Sequence, residues 1–165
     1  MNRTKLIFAA AMTMTMTIIA SAGLADDERS PIFGVTIPEG YRHWELIAPS
    51  HEEGGFNELR GILGNEIAVK AYREGTLPFP DGSMFAKLAW KRVPSPQFSG
   101  AFVPGQPTTV QIMIKDSKRY ASTGGWGFGR FIGGKAVDKA QHETCFACHE
   151  ANVKAHDFVF TRFAP

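Results

Sequence analysis

The chain has 165 residues, a formal net charge of +2 and two cysteines. That length suffices for one domain with a substantial core. The charge lacks the basic excess of a nucleic-acid or anionic-membrane binder, so no nucleic-acid partner is expected. No repeat, low-complexity tract or interdomain linker interrupts the chain.

Residues 1–25 read as an export signal. Arg3 and Lys5 open it, and Leu6 to Ala20 is apolar apart from Thr13, Thr15 and Thr17. Ala20-Ser21-Ala22 or Gly23-Leu24-Ala25 offers a small-residue cleavage site. The apolar stretch is short for a membrane anchor, which favours cleavage and a periplasmic location. Its removal takes away two bases and no acid, leaving a mature chain near neutrality. Residues 26–39 read as a loose leader and 40–165 as the single domain.

Tyr41 to Ala48 alternates as a strand, with Trp44 and Leu46 on one face. Glu58 to Glu74 carries Ile67, Ala68, Ala71 and Tyr72 at helical spacing and stops at Gly75. Pro78 to Gly82 is a turn. Ser83 to Val93 is a strand in which Met84, Ala86, Leu88 and Trp90 oppose Phe85, Lys87, Ala89 and Lys91. Pro94 to Pro107 reads as a proline-rich loop and Thr108 to Lys115 as a strand. Gly125-Trp126-Gly127-Phe128-Gly129 alternates bulky and bare positions, so one face admits a close neighbour. It is not a nucleotide loop, because the third glycine of G-x-G-x-x-G is missing. Asp138 caps a helix with Gln141 three residues on, and Asp157 to Phe163 reads as a closing strand. The expected class is α+β: a mainly antiparallel sheet with a few helices, the C-terminal helix carrying the motif that follows.

That motif is Cys145-Phe146-Ala147-Cys148-His149. C-x-x-C-H is the attachment signal of a c-type haem. Each thiol can add to one haem vinyl group, and the histidine can bind the iron from the same side. Residues three and four apart share a helix face, so all three groups lie together. Three other readings compete. A disulfide across two residues is tight and typical of redox thiols. Zinc could be held with His142, His149 or His156, although no second C-x-x-C pair exists. The motif could also be accidental. Haem attachment happens outside the cytoplasm, so the export signal supports the haem reading. With both cysteines so used, no structural disulfide is left for an oxidising compartment.

The chain resembles the cytochrome P-460 family, including cytochrome c′-beta, over roughly residues 40–165. The resemblance rests on Ile114 to Tyr120, Cys145 to Glu150, Asp157 to Phe163 and Asp81 to Lys87. It implies a homodimer and a mono-haem protein with haem c and iron as cofactors, the iron bound by His149 and open on its other side. In that family a lysine is joined to the haem edge and hydroxylamine is oxidised, electrons passing to a carrier such as a periplasmic cytochrome c. Lys87 matches that lysine. Phe56 matches a phenylalanine on the open side, and Arg60 an arginine able to hold a propionate or polar ligand. One departure stands out: the family's glutamate near the iron is Gln111 here. A carboxylate can take a proton from hydroxylamine, whereas an amide only hydrogen-bonds. The chain is therefore expected either to oxidise small nitrogen species or to bind nitric oxide without turnover. A third reading is plain electron transfer with Met84 or Met113 as sixth ligand.

Overall fold

A computed structural model describes residues 28–164. Six strands form one antiparallel sheet in sequence order: β1 (Glu45–Glu52), β2 (Glu58–Gly64), β3 (Met84–Pro94), β4 (Phe102–Lys115), β5 (Trp126–Ile132) and β6 (Lys135–Ala136). Two helices, α1 (Glu66–Glu74) and α2 (Lys139–Val153), complete an α+β domain whose C-terminal helix carries the cysteine motif. No helix among the described residues is long and apolar enough to cross a membrane. The expected export signal, residues 1–25, lies outside the described residues.

Several elements differ from the sequence reading, each for a local reason. Tyr41–His43 is a short 3₁₀ turn, so the first strand begins only at Glu45. Glu58–Gly64 is a strand rather than the start of a helix. Gly61 and Gly64 disfavour helix, and Asn65 begins one afresh by accepting from the Ala68 N–H at 3.1 Å. Gly75 ends α1 in the left-handed region, as its position implied. Phe102–Pro107 belongs to β4 and not to a loop. Its prolines are tolerated because β4 pairs with β5 only from Val110 onward. Asp157 to Phe163 forms no strand, because Asp157 and Phe158 both adopt positive φ. Within the expected leader, Ser30, Phe33 and Val35 are buried, and the Ser30 hydroxyl donates to the Phe128 carbonyl at 2.8 Å.

The strand alternation on β3 sorts the sheet into two faces. Phe85 pairs with Met113 and Met113 with Phe128; one step along, Lys87 pairs with Gln111 and Gln111 with Arg130. On this first face an aromatic cluster of Tyr72, Phe79, Phe85 and Trp126 has ring centroids 5.0–6.0 Å apart. Each fully buried member contributes roughly 1.5–3 kcal/mol of transfer free energy. On the second face the bare positions of β5 are filled. A Cβ on Gly127 would lie 2.3 Å from the Tyr120 ring, and one on Gly129 would meet Phe131 and Val35.

Candidate functional site

The Asp138 carboxylate accepts from the Gln141 N–H at 2.9 Å, which fixes where α2 starts. One turn later His142, fully buried, accepts the Arg130 N–H at Nε2 (3.1 Å) and donates from Nδ1 to the Asp138 carbonyl at 2.9 Å. The helix is thereby tied to β5 at the residue whose side chain ends the Lys87–Gln111–Arg130 row.

Three residues down that face, Cys145 is half-buried, Cys148 is exposed, and both thiols are free. Burial pushes the Cys145 thiol up, with the positive charges of Arg130 and Lys87 opposing. His149 follows. Its ring lies 5.0 Å from that of Phe128 and 4.9 Å from that of Phe160, edge-on to the latter. A carbonyl can only accept, so the 2.7 Å contact of His149 Nδ1 with the Phe158 oxygen is an N–H donation. That bond leaves Nε2 as the lone-pair nitrogen, the form in which a histidine binds a metal. Burial holds the imidazole below its usual range, the Phe158 carbonyl pulling it back up and Lys87 adding to the depression. The ring is thus kept neutral and oriented.

The Phe128–His149 contact shows which sheet face looks toward α2. Lys87, Gln111 and Arg130 stand on that same face, one step beyond the Phe85–Met113–Phe128 row. Lys87 is pushed down to about 8, chiefly by burial and then by Arg60, while the Glu52 and Glu58 carboxylates pull the other way. Gln111 is half-buried, its amide donating to the Thr109 hydroxyl at 3.2 Å. Arg130 is the residue the sequence reading missed. Its Nε is buried without a hydrogen-bond partner among the described residues, and a guanidinium so held calls for an anionic or polar group. Alternation on β5 put Arg130 in phase with Phe128, but only the strand register brings it beside Gln111.

The other expected positions divide. Arg60 is clamped by carboxylates: Nε and Nη2 donate to Glu58 at 3.2 and 3.0 Å, and Nη1 pairs with Glu52. It therefore acts on Lys87 as a nearby positive charge. Phe56 sits exposed on the turn between β1 and β2, with its carbonyl accepting from Lys91 at 3.0 Å. Met84 points to the opposite sheet face from Lys87, whereas Met113 shares the face of Phe128. No group of three or more histidine, cysteine or acidic residues able to hold a metal occurs among the described residues. That weakens the zinc reading of the cysteine pair.

The residues fit a haem. Two thiols and an oriented, neutral imidazole share one helix face. The half-buried Arg130, its Nε without a hydrogen-bond partner among the described residues, and an amine of lowered basicity face them from the sheet. A family model described as Cytochrome P460 matches residues 38–161. A search of curated proteins found no match to the chain.

Proposed function

Because the chain belongs to the cytochrome P460 family, and so to the c-type haem proteins, we propose that it is a periplasmic mono-haem protein that binds and oxidises small nitrogen species, hydroxylamine foremost, at a lysine-modified haem. Cys145 and Cys148 hold the haem covalently and His149 binds its iron. When bound, the haem supplies a one-electron iron centre with a coordination site for a small nitrogen ligand. Lys87, Gln111 and Arg130 line the approach from the sheet, and Phe56 covers its outer side. Electrons leave to a periplasmic acceptor such as a cytochrome c. The exposed Leu46 and the half-buried Leu59, Leu63 and Trp90 on the sheet's second face support a homodimer that covers them.

The observation that carries this reading is Lys87. An amine that titrates near 8 is about one-tenth neutral at pH 7, against roughly one part in three thousand at 10.5. Only the neutral amine is a nucleophile, so this lysine is suited to joining the haem edge, a step that replaces one N–H and one haem C–H bond by a C–N bond and gives up two electrons and two protons to an added oxidant such as a peroxide. Such a bond interrupts conjugation, and the Soret band of the reduced protein is expected well to the red of an ordinary c-type haem. Lys87→Ala is expected to restore the ordinary position. An ordinary wild-type spectrum that Lys87→Ala leaves unmoved would remove the cross-linked reading.

A second reading, nitric-oxide binding without turnover, is favoured by Gln111. The row facing α2 contains an amide between two basic residues and no carboxylate, so it can hold a ligand but offers no carboxylate base to take a proton from hydroxylamine. Tight nitric-oxide binding by the ferrous protein, with no reduction of the ferric protein by hydroxylamine, would select this reading.

A further inference from the structure

The carbonyl that holds His149 belongs to an unusual turn. Asp157 and Phe158 have φ of +47° and +64°, two successive left-handed residues without a glycine. Aspartate tolerates that region, but phenylalanine enters it only where the surroundings impose it. Here the surroundings do. The Asp157 carboxylate accepts Lys115 Nζ at 2.8 and 2.9 Å and the Phe79 N–H at 2.8 Å. Lys115 is only 6% exposed; its ammonium also donates to the Gly124 carbonyl at 3.0 Å and lies 4.9 Å from the Trp126 ring centroid. The Phe158 ring fills the space over Gly124, where a Cβ would come within 2.2 Å, and meets Phe146 of α2 at 5.5 Å.

We infer that Lys115 and Asp157 are positioning residues for the axial histidine: their buried ion pair fixes the left-handed turn that aims the Phe158 carbonyl at His149 Nδ1. Neither side chain makes a hydrogen bond to His149. They act through the backbone, as an outer layer that sets how strongly the imidazole donates to iron. A short, well-aimed N–H···O bond makes the imidazole more electron-rich and favours the ferric state. Loosening the turn lengthens that bond and favours the ferrous state. A buried pair is weak support for a purely stabilising role, because well-packed apolar replacements often do as well. Holding a carbonyl in a conformation phenylalanine does not choose by itself is a role such replacements cannot fill.

The inference rests on the haem reading above, and its test separates the two. Asp157→Ala strands the buried Lys115 charge and is liable not to fold. The double variant Lys115→Met/Asp157→Asn removes the ion pair without leaving a charge, and keeps both an acceptor for the Phe79 N–H and a residue tolerant of the left-handed region. Two readouts are taken on the holoprotein: the midpoint potential and the iron–histidine stretch of the ferrous form. Outer-layer partners of this kind are typically worth ~10–100-fold, and a tenfold change in ferric preference reads as about 59 mV. The double variant is expected to raise the midpoint by roughly 60–120 mV and lower the stretching frequency. Val69→Ala, a core truncation in α1, is the control: it lowers the melting temperature and leaves both readouts in place. A folded double variant with wild-type potential and stretch overturns the inference, as does an equal shift in Val69→Ala. A wild-type protein that carries no haem on His149 overturns the haem reading instead.

Discussion

Replacing Gln111 by glutamate tests what the sheet face lacks. In the proposed enzyme the slow element is proton removal from hydroxylamine, for which the row offers an amide. A positioned general base is typically worth ~10²–10⁴-fold. The neighbours decide where in that range the gain falls. Gln111 stands in register between Lys87 and Arg130, and an adjacent guanidinium lowers a carboxyl pKa by about 1–3. A glutamate here would therefore be ionised at neutral pH but a weaker base than an isolated one, which places the gain near 10². The assay is hydroxylamine-dependent reduction of an added cytochrome c acceptor, with Gln111→Asn as control. The glutamate variant's rate is expected to fall on the acid side as the new carboxyl protonates, and the asparagine variant to stay at the wild-type rate. A folded, haem-loaded Gln111→Glu protein within threefold of wild type would refute the assignment of position 111 as the missing base.

Two further outcomes follow from the packing. Although burial opposes it, the Thr108 hydroxyl (2.6 Å) and Arg60 hold Glu58 below its ordinary value of 4.5. Because its folded value lies below its unfolded one, its stabilisation is present above about 4.5 and is lost as pH falls through the folded value. Glu58→Gln should lower stability at pH 7 by about 1–3 kcal/mol and flatten the acid limb of the melting curve; a steep, unchanged acid limb would count against this. Gly127→Ala puts a methyl group 2.3 Å from the buried Tyr120 ring and should destabilise by about 1–3 kcal/mol in chemical denaturation; an unchanged midpoint would show that β5 is not packed there as described.

Much of this was legible in the chain of letters, and what was not has a common physical cause. The β3 alternation, the Asp138 cap, the Gly75 stop and the glycine-aromatic pattern of β5 are local signals, each decided by neighbours in sequence. The cysteine motif is local too, and with it the helix face that carries the two thiols and His149. The failures arose where distant contacts decide. Glu58–Gly64 became a strand because it pairs on both edges, with β1 and β3. Phe102–Pro107 joined β4 because its partner in β3 extends beyond the rest of the sheet. The 157–163 segment lost its strand to a turn held by Lys115, 42 residues earlier. Arg130 was missed for the same reason, since its place beside Gln111 exists only once the strands are in register. The pairing of Arg60 with Glu52 and Glu58 is equally beyond local signals, because it requires the β1–β2 hairpin to close.

The central claim is that one haem is fixed to this chain through Cys145 and Cys148 with His149 on its iron. Its most direct test is the mass of the purified holoprotein after acid-acetone denaturation, taken with visible absorption of the protein pellet. The account predicts a mass of the mature chain plus one haem, with the colour retained in the protein. A bare chain mass with the haem recovered in the organic phase would contradict it.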